Sequence, residues 1–370
     1  MSRPLGIALV GYGAIGRLHA SVIQLLPQLY PTLAYRPQLV AVCAGGPQSQ
    51  ANARRDYPHL PQRSYEEILA LPTVDVVAIC TPTAVHATQV AAALQAGKHV
   101  MCEKPLTVDP VRSAELVALA TSQQRMLVLN HHFRRIPAVA TARQLIAQGH
   151  LGVPISAHLR YFRASNVSPE RPLTWRFLGD AGGVLVDLGS HLIDLCQYLF
   201  ASPIVRVQAQ LHTAVPQRPD GQGQRVDVTS DDVAWLGARL ANGMRVTIEA
   251  SKMVPGAADD IRIEAYGHQG SIMIDTLNAN ALTLGTAPQA AAMQQTLVWN
   301  RQTPAATLPS AETATGIFSW HAAAWETMLA ALAGDTRDVC DGAAGLAVDR
   351  VIAAARQSAA HDGAWQEVMQ

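Results

Sequence analysis

Short apolar runs alternate with amphipathic segments over the first third of the chain. The runs rich in β-branched residues predict strands at Ile7–Val10, Leu39–Cys43, Val74–Cys80, His99–Cys102 and Met126–Leu129. Helical patterns lie between them: one over Tyr65–Ala70 opens with a capping box formed by Ser64 and Glu67, and one over Val85–Ala96 ends at Gly97. This alternation predicts βαβ units and a doubly wound parallel sheet.

After Asn130 the pattern of apolar positions changes. A helical segment over Pro137–Gln148 is followed by stretches in which apolar and polar residues alternate. The predicted strands are Ile155–Arg163, Val205–Val215, Val233–Leu240, Met244–Met253, Ile261–Gly267 and Ser271–Asp275. Because no helix separates successive strands, an antiparallel or mixed sheet is expected. Two Ala-rich segments, Trp320–Ala333 and Gly342–Ala360, predict helices towards the end of the chain.

These patterns predict an α/β protein with two domains. The first, over residues 1–130, contains the parallel sheet, and the second, over residues 131–370, contains a largely antiparallel open sheet. Two segments interrupt the pattern. Pro27–Pro37, with three prolines and two tyrosines, is expected to be a surface insertion, and Pro216–Gln224 a loop between two strands.

Composition narrows the class of protein. The 28 basic and 28 acidic residues cancel, so the chain lacks the broad positive field that binding to nucleic acid or an anionic membrane requires. No apolar run reaches the ~18 residues of a membrane span and no secretory signal is visible, so a cytoplasmic location is expected. The five cysteines are odd in number and show no CxxC spacing, which indicates buried, reduced thiols.

A glycine-rich segment, Gly11–Gly16, lies between a predicted strand and a predicted helix. Its glycines suit a tight turn, the close approach of a pyrophosphate, and packing of the helix on the strand. The helix N-terminus would hold the anion. We therefore predict that a dinucleotide contacts the residues of this turn, which are Gly11, Gly13, Ala14, Ile15 and Gly16.

The end of the second predicted strand bears on the choice between NAD and NADP. No acidic residue stands where one usually binds the adenosine ribose hydroxyls, and Ala44 takes that place. Without a carboxylate, a 2′-phosphate is not repelled. Arg54 and Arg55 are expected to be helix-surface charges. The cofactor is therefore NAD or NADP, with a slight lean to NADP.

The next strand ends are expected to border the same dinucleotide, because ligands of doubly wound sheets bind at the carboxyl ends of the strands. Thr81 and Pro82 follow one strand, and Glu103 and Lys104 follow another. His86, close behind Thr81, is included among the predicted cofactor contacts. The ammonium of Lys104 can lie near the nicotinamide ribose and the reacting oxygen.

A third group of residues carries acid and base chemistry. Asp187, His191 and Asp194 are spaced so that they share one face of a helix, which allows a carboxylate and an imidazole to converge on one small ligand. A metal site would need further ligands, and the sequence offers no clear set.

Together these motifs resemble the Gfo/Idh/MocA family, named after glucose-fructose oxidoreductase, inositol dehydrogenase and rhizopine catabolism. The match covers nearly the whole chain. It rests on the Gly11–Gly16 turn with His19, Thr81-Pro82, Glu103-Lys104-Pro105, Asn130 with Arg134-Arg135-Ile136-Pro137, Gly149–Gly152, Trp175-Arg176, Gly182–Asp194 and Tyr266–Ser271. Jointly, in this order and spacing, the motifs are highly specific.

The resemblance implies an N-terminal Rossmann domain and a C-terminal α/β domain whose sheet forms the contacts of a homodimer or homotetramer. It implies a dehydrogenase or reductase that transfers a hydride between NAD(P) and a CH–OH group of a sugar, cyclitol or related polyol. By the same resemblance Lys104 contacts nicotinamide ribose and substrate hydroxyl, His191 is the general acid/base, and Asp187 positions substrate or histidine. Substrate contacts are expected from Asn130, Arg134, Trp175 and Arg176.

Two other functions stay open at this point. Some relatives use bound NAD for transient oxidation during glycoside cleavage, although the Asp187–Asp194 motif differs from the glycine-rich signature of that type. A few family members are non-catalytic sensors that bind dinucleotide. A sensor would tolerate loss of Lys104 or His191, and both are present. The particular sugar, the carbon oxidised and the direction of reaction do not follow from the sequence.

Overall fold

The computed structural model describes residues 3–286, 293–297, 316–335 and 338–369. The chain divides into two units, Met1–Arg135 with Thr307–Leu346, and Ile136–Ala306 with Ala347–Gln370. None of the helices in the described ranges is both long and apolar enough to cross a membrane.

The elements of the described residues follow most of the predicted pattern. The strands are β1 (Arg3–Val10), β2 (Tyr35–Cys43), β3 (Val76–Ile79), β4 (His99–Cys102), β5 (Leu127–Leu129), β6 (Pro154–Phe162), β7 (Ile204–His212), β8 (Gln217–Pro219), β9 (Arg225–Asp227), β10 (Val233–Leu240), β11 (Arg245–Ser251), β12 (Asp260–Gly267), β13 (Gly270–Asp275), β14 (Ala281–Thr286), β15 (Gln294–Leu297) and β16 (Gln366–Glu367). The helices are α1 (Ala14–Leu29), α2 (Pro47–Asp56), α3 (Tyr65–Ala70), α4 (His86–Gln95), α5 (Pro110–Ser122), α6 (Pro137–Ala147), α7 (Ser190–Phe200), α8 (Ile317–Leu332) and α9 (Gly342–Ala360).

The first unit contains the predicted parallel sheet, with strand order β2–β1–β3–β4–β5. Its central strand β1 is covered on both faces. Ile7 and Leu9 belong to an apolar cluster that includes residues of α1 and α8. Ala8 and Val10 belong to a second cluster, with residues of α4 and α5. A strand buried on both faces needs a continuous apolar run, which is why its sequence does not alternate.

The predicted surface insertion at Pro27–Pro37 is wrong. Pro27 lies inside α1, whose residues Ile23 and Leu26 are fully buried, and Pro37 lies within β2. β2 is an edge strand, where a residue without a backbone N–H costs no sheet hydrogen bond on its open side. The connection between the two elements is therefore only residues 30–34.

The first unit also includes α8, which the prediction assigned to residues 131–370 as part of the second domain. Trp325 of α8 is fully buried in the apolar cluster that contains Ile7 and Leu9. The predicted boundary at residue 130 lies close to the end of the first segment at Arg135, but a later segment returns to this unit.

The second unit contains an open sheet with strand order β15–β14–β13–β12–β6–β11–β10–β7–β16 in its described part. Neighbouring strands are antiparallel except β6 and β11, which pair in parallel, so the predicted largely antiparallel sheet is confirmed. Helices α6 and α7 contact this sheet. Alternate residues of β12 are buried, namely Ile261, Ile263 and Ala265, as expected for a sheet with one covered face.

The predicted loop at Pro216–Gln224 contains a strand. β8 pairs with β9 in a hairpin, and the side chain of Arg218 on β8 is fully buried. Arg218 donates hydrogen bonds to the backbone oxygens of Asn166 (2.7 Å) and Ser168 (2.8 Å). Such long-range contacts fix a segment whose Pro, Gly and Gln content alone indicates a loop.

Candidate active site

Each glycine of the turn between β1 and α1 meets a different requirement. Gly11 has φ +92°, and a Cβ there would lie 2.6 Å from the carbonyl oxygen of Cys80. A Cβ on Gly16 would lie 2.0 Å from the carbonyl oxygen of Gly11, so the helix could not pack as closely. Beside Gly13, by contrast, no atom lies within 4 Å of the Cβ position.

This turn fits the pyrophosphate of a dinucleotide. The open space is at Gly13, which is the N-cap of α1 and offers no side chain that could accept from the first N–H groups of the helix. The first turn of α1, which begins with Ala14 and Ile15, contains no acidic residue. Its N–H groups and the positive end of the helix dipole can therefore stabilise an anion that approaches past Gly13.

The end of β2 agrees with the sequence expectation. Ala44 follows β2, and its carbonyl oxygen accepts a hydrogen bond from Gln50 (3.4 Å). Arg54 and Arg55 lie in the last turn of α2, where Arg55 pairs with Asp56 (2.8 Å) and Arg54 donates to Gln50 (3.4 Å). Both arginines thus have partners on their own helix.

His86 links the loops that follow β3 and β4. Its Nδ1 lies 3.0 Å from the Pro105 carbonyl oxygen and its Nε2 lies 3.0 Å from that of Thr81. Burial lowers the pKa of His86, so the neutral ring donates to one of these oxygens at a time. Thr81 itself donates to Gln89 (2.6 Å), and Pro82 precedes a short 3-10 turn over Thr83–Val85. That His86 contacts the cofactor stays a prediction.

Glu103 is the acceptor of a buried hydrogen-bond network in the first unit. The Nδ2 of Asn130 donates to its Oε1 at 2.5 Å, and the Nε2 of His19 lies 2.9 Å from the same oxygen. The indole of Trp325 donates to Nδ1 of His19 (2.9 Å). An indole N–H can only donate, so Nδ1 accepts, and the single proton of a neutral His19 lies on Nε2, facing Glu103.

This network keeps Glu103 ionised. Burial alone would raise the pKa of its carboxyl, but the hydrogen bonds from His19 and Asn130 outweigh burial and hold the pKa well below its usual range. His321 is close enough that His19, Glu103 and His321 have the spacing of metal ligands. Because Nε2 of His19 carries the proton, it has no lone pair for a metal, and the cluster is a hydrogen-bond network.

Asn130 and Arg134, predicted substrate contacts, lie near the end of β5. Asn130 is fully buried. Its Nδ2 donates to Glu103 and lies 3.2 Å from Nε2 of His19, which carries a proton and does not accept from it. Arg134 is buried in a short 3-10 turn over His132–Arg135. Lys104 directly follows Glu103, after β4, and is partly exposed.

In the second unit, two glycines precede the segment that carries Asp187, His191 and Asp194, and neither position has room for a side chain. Gly183 has φ +90°, and a Cβ there would meet the carboxylate of Asp231 at 2.2 Å. A Cβ on Gly182 would lie 2.6 Å from the Arg176 carbonyl oxygen. Asp231 accepts hydrogen bonds from the backbone N–H of Leu185 at 2.7 Å, which ties the start of the motif to the end of the β9–β10 connection.

The segment that carries Asp187, His191 and Asp194 is not one regular α-helix. Leu185–Gly189, which includes Asp187, forms a π-helical turn, and α7 with His191 and Asp194 follows it. A π turn advances each residue by a smaller angle than an α-helix, so the assumed helical spacing does not apply to Asp187. His191 and Asp194 are buried, whereas Asp187 is partly exposed.

Two basic side chains approach Asp187, and one of them is absent from the sequence predictions. Lys252, which follows β11, donates from Nζ to Oδ2 of Asp187. The Nε of Arg176 lies 4.0 Å from the same oxygen, and its guanidinium stacks on the ring of Trp175 at 4.3 Å. The signal for Lys252 is its rarity, since the chain has only three lysines and this one interrupts an apolar strand end.

Tyr161 and His191 are the aromatic neighbours of this site. Their ring centroids lie 6.4 Å apart at an interplanar angle of 62°. The hydroxyl of Tyr161 donates to Asp259 (2.6 Å), and burial, followed by that carboxylate, holds the pKa of Tyr161 well above its usual value. The phenol therefore stays protonated at neutral pH and cannot accept a proton.

Comparison with known proteins gives the family of both units. Residues 5–131 match the family described as "Oxidoreductase family, NAD-binding Rossmann fold", and residues 139–273 match the "GFO/IDH/MocA C-terminal domain". The first match confirms the predicted Rossmann domain and places it in a family whose Rossmann fold binds NAD. The two matches together span more than half of the chain.

Comparison with individual relatives gives the same family. The chain is 30% identical over 287 residues to levoglucosan dehydrogenase of Pseudarthrobacter phenanthrenivorans, covering 73% of each protein. It is 28% identical over 288 residues to scyllo-inositol 2-dehydrogenase (NAD(+)) of Bacillus subtilis, covering 77% of this chain and 78% of that protein. A solved structure of levoglucosan dehydrogenase with NADH and levoglucosan superposes with a TM-score of 0.91 at 27% identity and full coverage of both chains. The chain therefore belongs to the Gfo/Idh/MocA family of oxidoreductases.

Proposed function

We propose that the protein oxidises a secondary alcohol of a sugar or cyclitol, or reduces the corresponding ketone, with NAD or NADP. The observation that carries this proposal is the unobstructed Gly13 at the N-terminus of α1, in a chain that also contains Lys104 and the Asp187–His191 motif. The relatives named for levoglucosan and scyllo-inositol support this class of substrate.

The proposed chemistry assigns one role to each side chain. A bound nicotinamide nucleotide supplies the hydride acceptor. His191 takes the hydroxyl proton, because a histidine titrates near neutral pH and its aromatic neighbour Tyr161 stays protonated. Lys104 stabilises the negative charge that develops on the oxygen. Asp187, paired with Lys252, orients the substrate as a carboxylate and does not act as the base.

The test is a screen of levoglucosan, myo-inositol, scyllo-inositol and further polyols with NAD and with NADP. The absorbance of the reduced nicotinamide follows the reaction. We expect turnover with at least one sugar or cyclitol. Dinucleotide binding without turnover of any member, together with unchanged binding in Lys104→Met and His191→Ala, would instead favour the sensor.

The cofactor preference is a separate proposal. Ala44 supplies no carboxylate at the end of β2, so NADP should be accepted at least comparably to NAD. Ala44→Asp should shift selectivity towards NAD, because the new carboxylate repels a 2′-phosphate. Ratios of kcat/KM for the two cofactors measure this shift, and strong discrimination against NADP by the parent protein would contradict the proposal.

We also propose that the protein forms a homo-oligomer through the open sheet. Trp235 on β10 and Trp365 beside β16 are substantially exposed. Arg206, Arg239 and Arg245 stand opposite one another on β7, β10 and β11. Arg206 pairs with Glu367 of its own chain (2.7 Å), and carboxylates of a second copy would relieve the like charges of Arg239 and Arg245. Light scattering should show a dimer or tetramer, and Trp235→Asp should shift it towards monomer; a monomeric parent would contradict this.

A further inference from the structure

Lys252 is a buried ammonium held against a catalytic motif from a distant part of the chain. It is 6% exposed and follows the last residue of β11. Its Nζ donates to Oδ2 of Asp187, 65 residues earlier in the chain. Burying an ammonium is costly unless it is paired, and even a buried ion pair adds little to stability. Stability alone therefore gives no reason for a lysine at this position, and its effect on Asp187 does.

The backbone of Lys252 is fixed on both sides. Its N–H donates to the Asp232 carbonyl oxygen (3.1 Å), and its carbonyl oxygen accepts from the N–H of Asn166 (3.0 Å). Asp187, in contrast, lies in a π-helical turn and is partly exposed. One partner of the pair is thus anchored in the sheet, while the other can face a ligand.

The charges around Asp187 are mostly positive. Arg176 lies 4.0 Å away but is partly exposed, so solvent weakens its effect. Arg171 and the protonated Tyr161 are also within electrostatic range, and His191 follows Asp187 at the start of α7. Lys252, in contrast, is buried and contacts the carboxylate directly.

We propose that Lys252 is a positioning residue, which holds the Asp187 carboxylate ionised and in one orientation so that it can accept a hydrogen bond from a substrate hydroxyl. This inference rests on the proposed function. Lys252 would not contact the reacting atoms, and its effect would pass through Asp187. Its removal should therefore matter only while Asp187 is present.

The test compares Lys252→Met, Lys252→Arg, Asp187→Asn and the double variant K252M/D187N. The substrate is whichever compound of the sugar and cyclitol screen the parent oxidises fastest. We expect K252M to lose about 10- to 100-fold in kcat/KM, as for other supporting residues of a site, with unchanged NADH binding in calorimetry. K252R should recover most of that loss, and the double variant should be no slower than D187N alone.

A pH profile separates positioning from a merely structural role. Below the ionisation near neutral pH that is assigned to His191, the kcat/KM profile should show a second, acidic limb from Asp187. Without the ammonium, the pKa of Asp187 rises, so this acidic limb should move to higher pH in K252M. The limb should stay in place in K252R. Arg112→Met, which removes an exposed cation paired with Glu115, is the control and should match the parent protein. If K252M does not fold, K252Q replaces it in every comparison.

Two kinds of failure can be told apart. Parent protein that turns over no compound of the sugar and cyclitol screen would overturn the proposed function, and this inference with it. An active parent, with K252M within about twofold of it or with an unmoved acidic limb, would overturn the inference alone. Losses in K252M and D187N that multiply in the double variant would also overturn it, because the two residues would then act independently.

Discussion

We propose that cofactor binding depends most directly on Gly13. Gly13→Val would place methyl groups in the space through which a pyrophosphate reaches the N-terminus of α1. We expect at least a roughly tenfold weaker affinity for NADH, measured by calorimetry. Gly221→Val, in the exposed hairpin turn where a Cβ also has no atom within 4 Å, is the matched control. Equal affinity of the two variants would exclude the glycine turn as the binding site.

The role of an individual residue could be predicted from the sequence only where a local motif contains that residue. Gly11 and Gly16 follow from motif spacing, since the turn they form is local. The bond of Trp325 to His19 joins positions 306 residues apart, and that of Lys252 to Asp187 joins positions 65 apart. No periodicity or motif encodes such pairs, so Lys252 was missed.

At the scale of elements, strand and helix patterns were predictable where burial was regular. β4, β10, α3 and α9 have the predicted bounds, and Ser64 and Glu67 form the predicted capping box. The errors occur where tertiary contacts override composition. Pro27 stays helical because its neighbours on α1 are buried, and the predicted helix through Asp187 begins instead with a π turn.

The β8–β9 hairpin gives a prediction at this scale. Arg218 is fully buried, stacks on the Phe177 ring at 4.3 Å and lies 3.8 Å from the buried Asp232. Arg218→Met removes the cation and leaves that carboxylate buried, which should cost about 3–5 kcal/mol of unfolding free energy. Urea denaturation measures the change.

The control for this prediction lies on the same hairpin. Arg225 pairs with Glu170 on the surface, so Arg225→Met should cost at most about 1 kcal/mol. If the two variants were equally stable, the buried guanidinium would contribute no more than an exposed one. The account of why a loop-like sequence forms a strand would then be wrong.

At the scale of the whole molecule, the buried histidines make stability depend on pH. Burial, helped by the neighbouring His19, lowers the pKa of His321 to about 4, from the ~6.5 of an unfolded chain. Between these values the unfolded chain binds a proton that the folded chain does not. The contribution of His321 to stability is therefore fully present above pH ~6.5 and is lost as the pH falls towards about 4.

Glu103 acts in the same direction at lower pH. Its pKa is held below the unfolded value, so its stabilisation is present above that value and is lost as the carboxylate becomes protonated. In denaturation at pH 7 and pH 5, the parent should lose more stability than His321→Phe, which keeps an aromatic ring but cannot titrate. Equal losses in both proteins would show that His321 does not carry the effect.

The most direct test of the central claim is the turnover of Lys104→Met and His191→Asn on the sugar that the parent oxidises fastest. We predict that each variant loses a factor of about 10² to 10⁴ in kcat while NADH binding is retained, because a positioned acid/base and a charge on the reacting oxygen act in the chemical step. In the parent, an ionisation near neutral pH should disappear with His191. Full turnover in both variants, or the same neutral ionisation without the histidine, would contradict the assignment of hydride transfer to these residues.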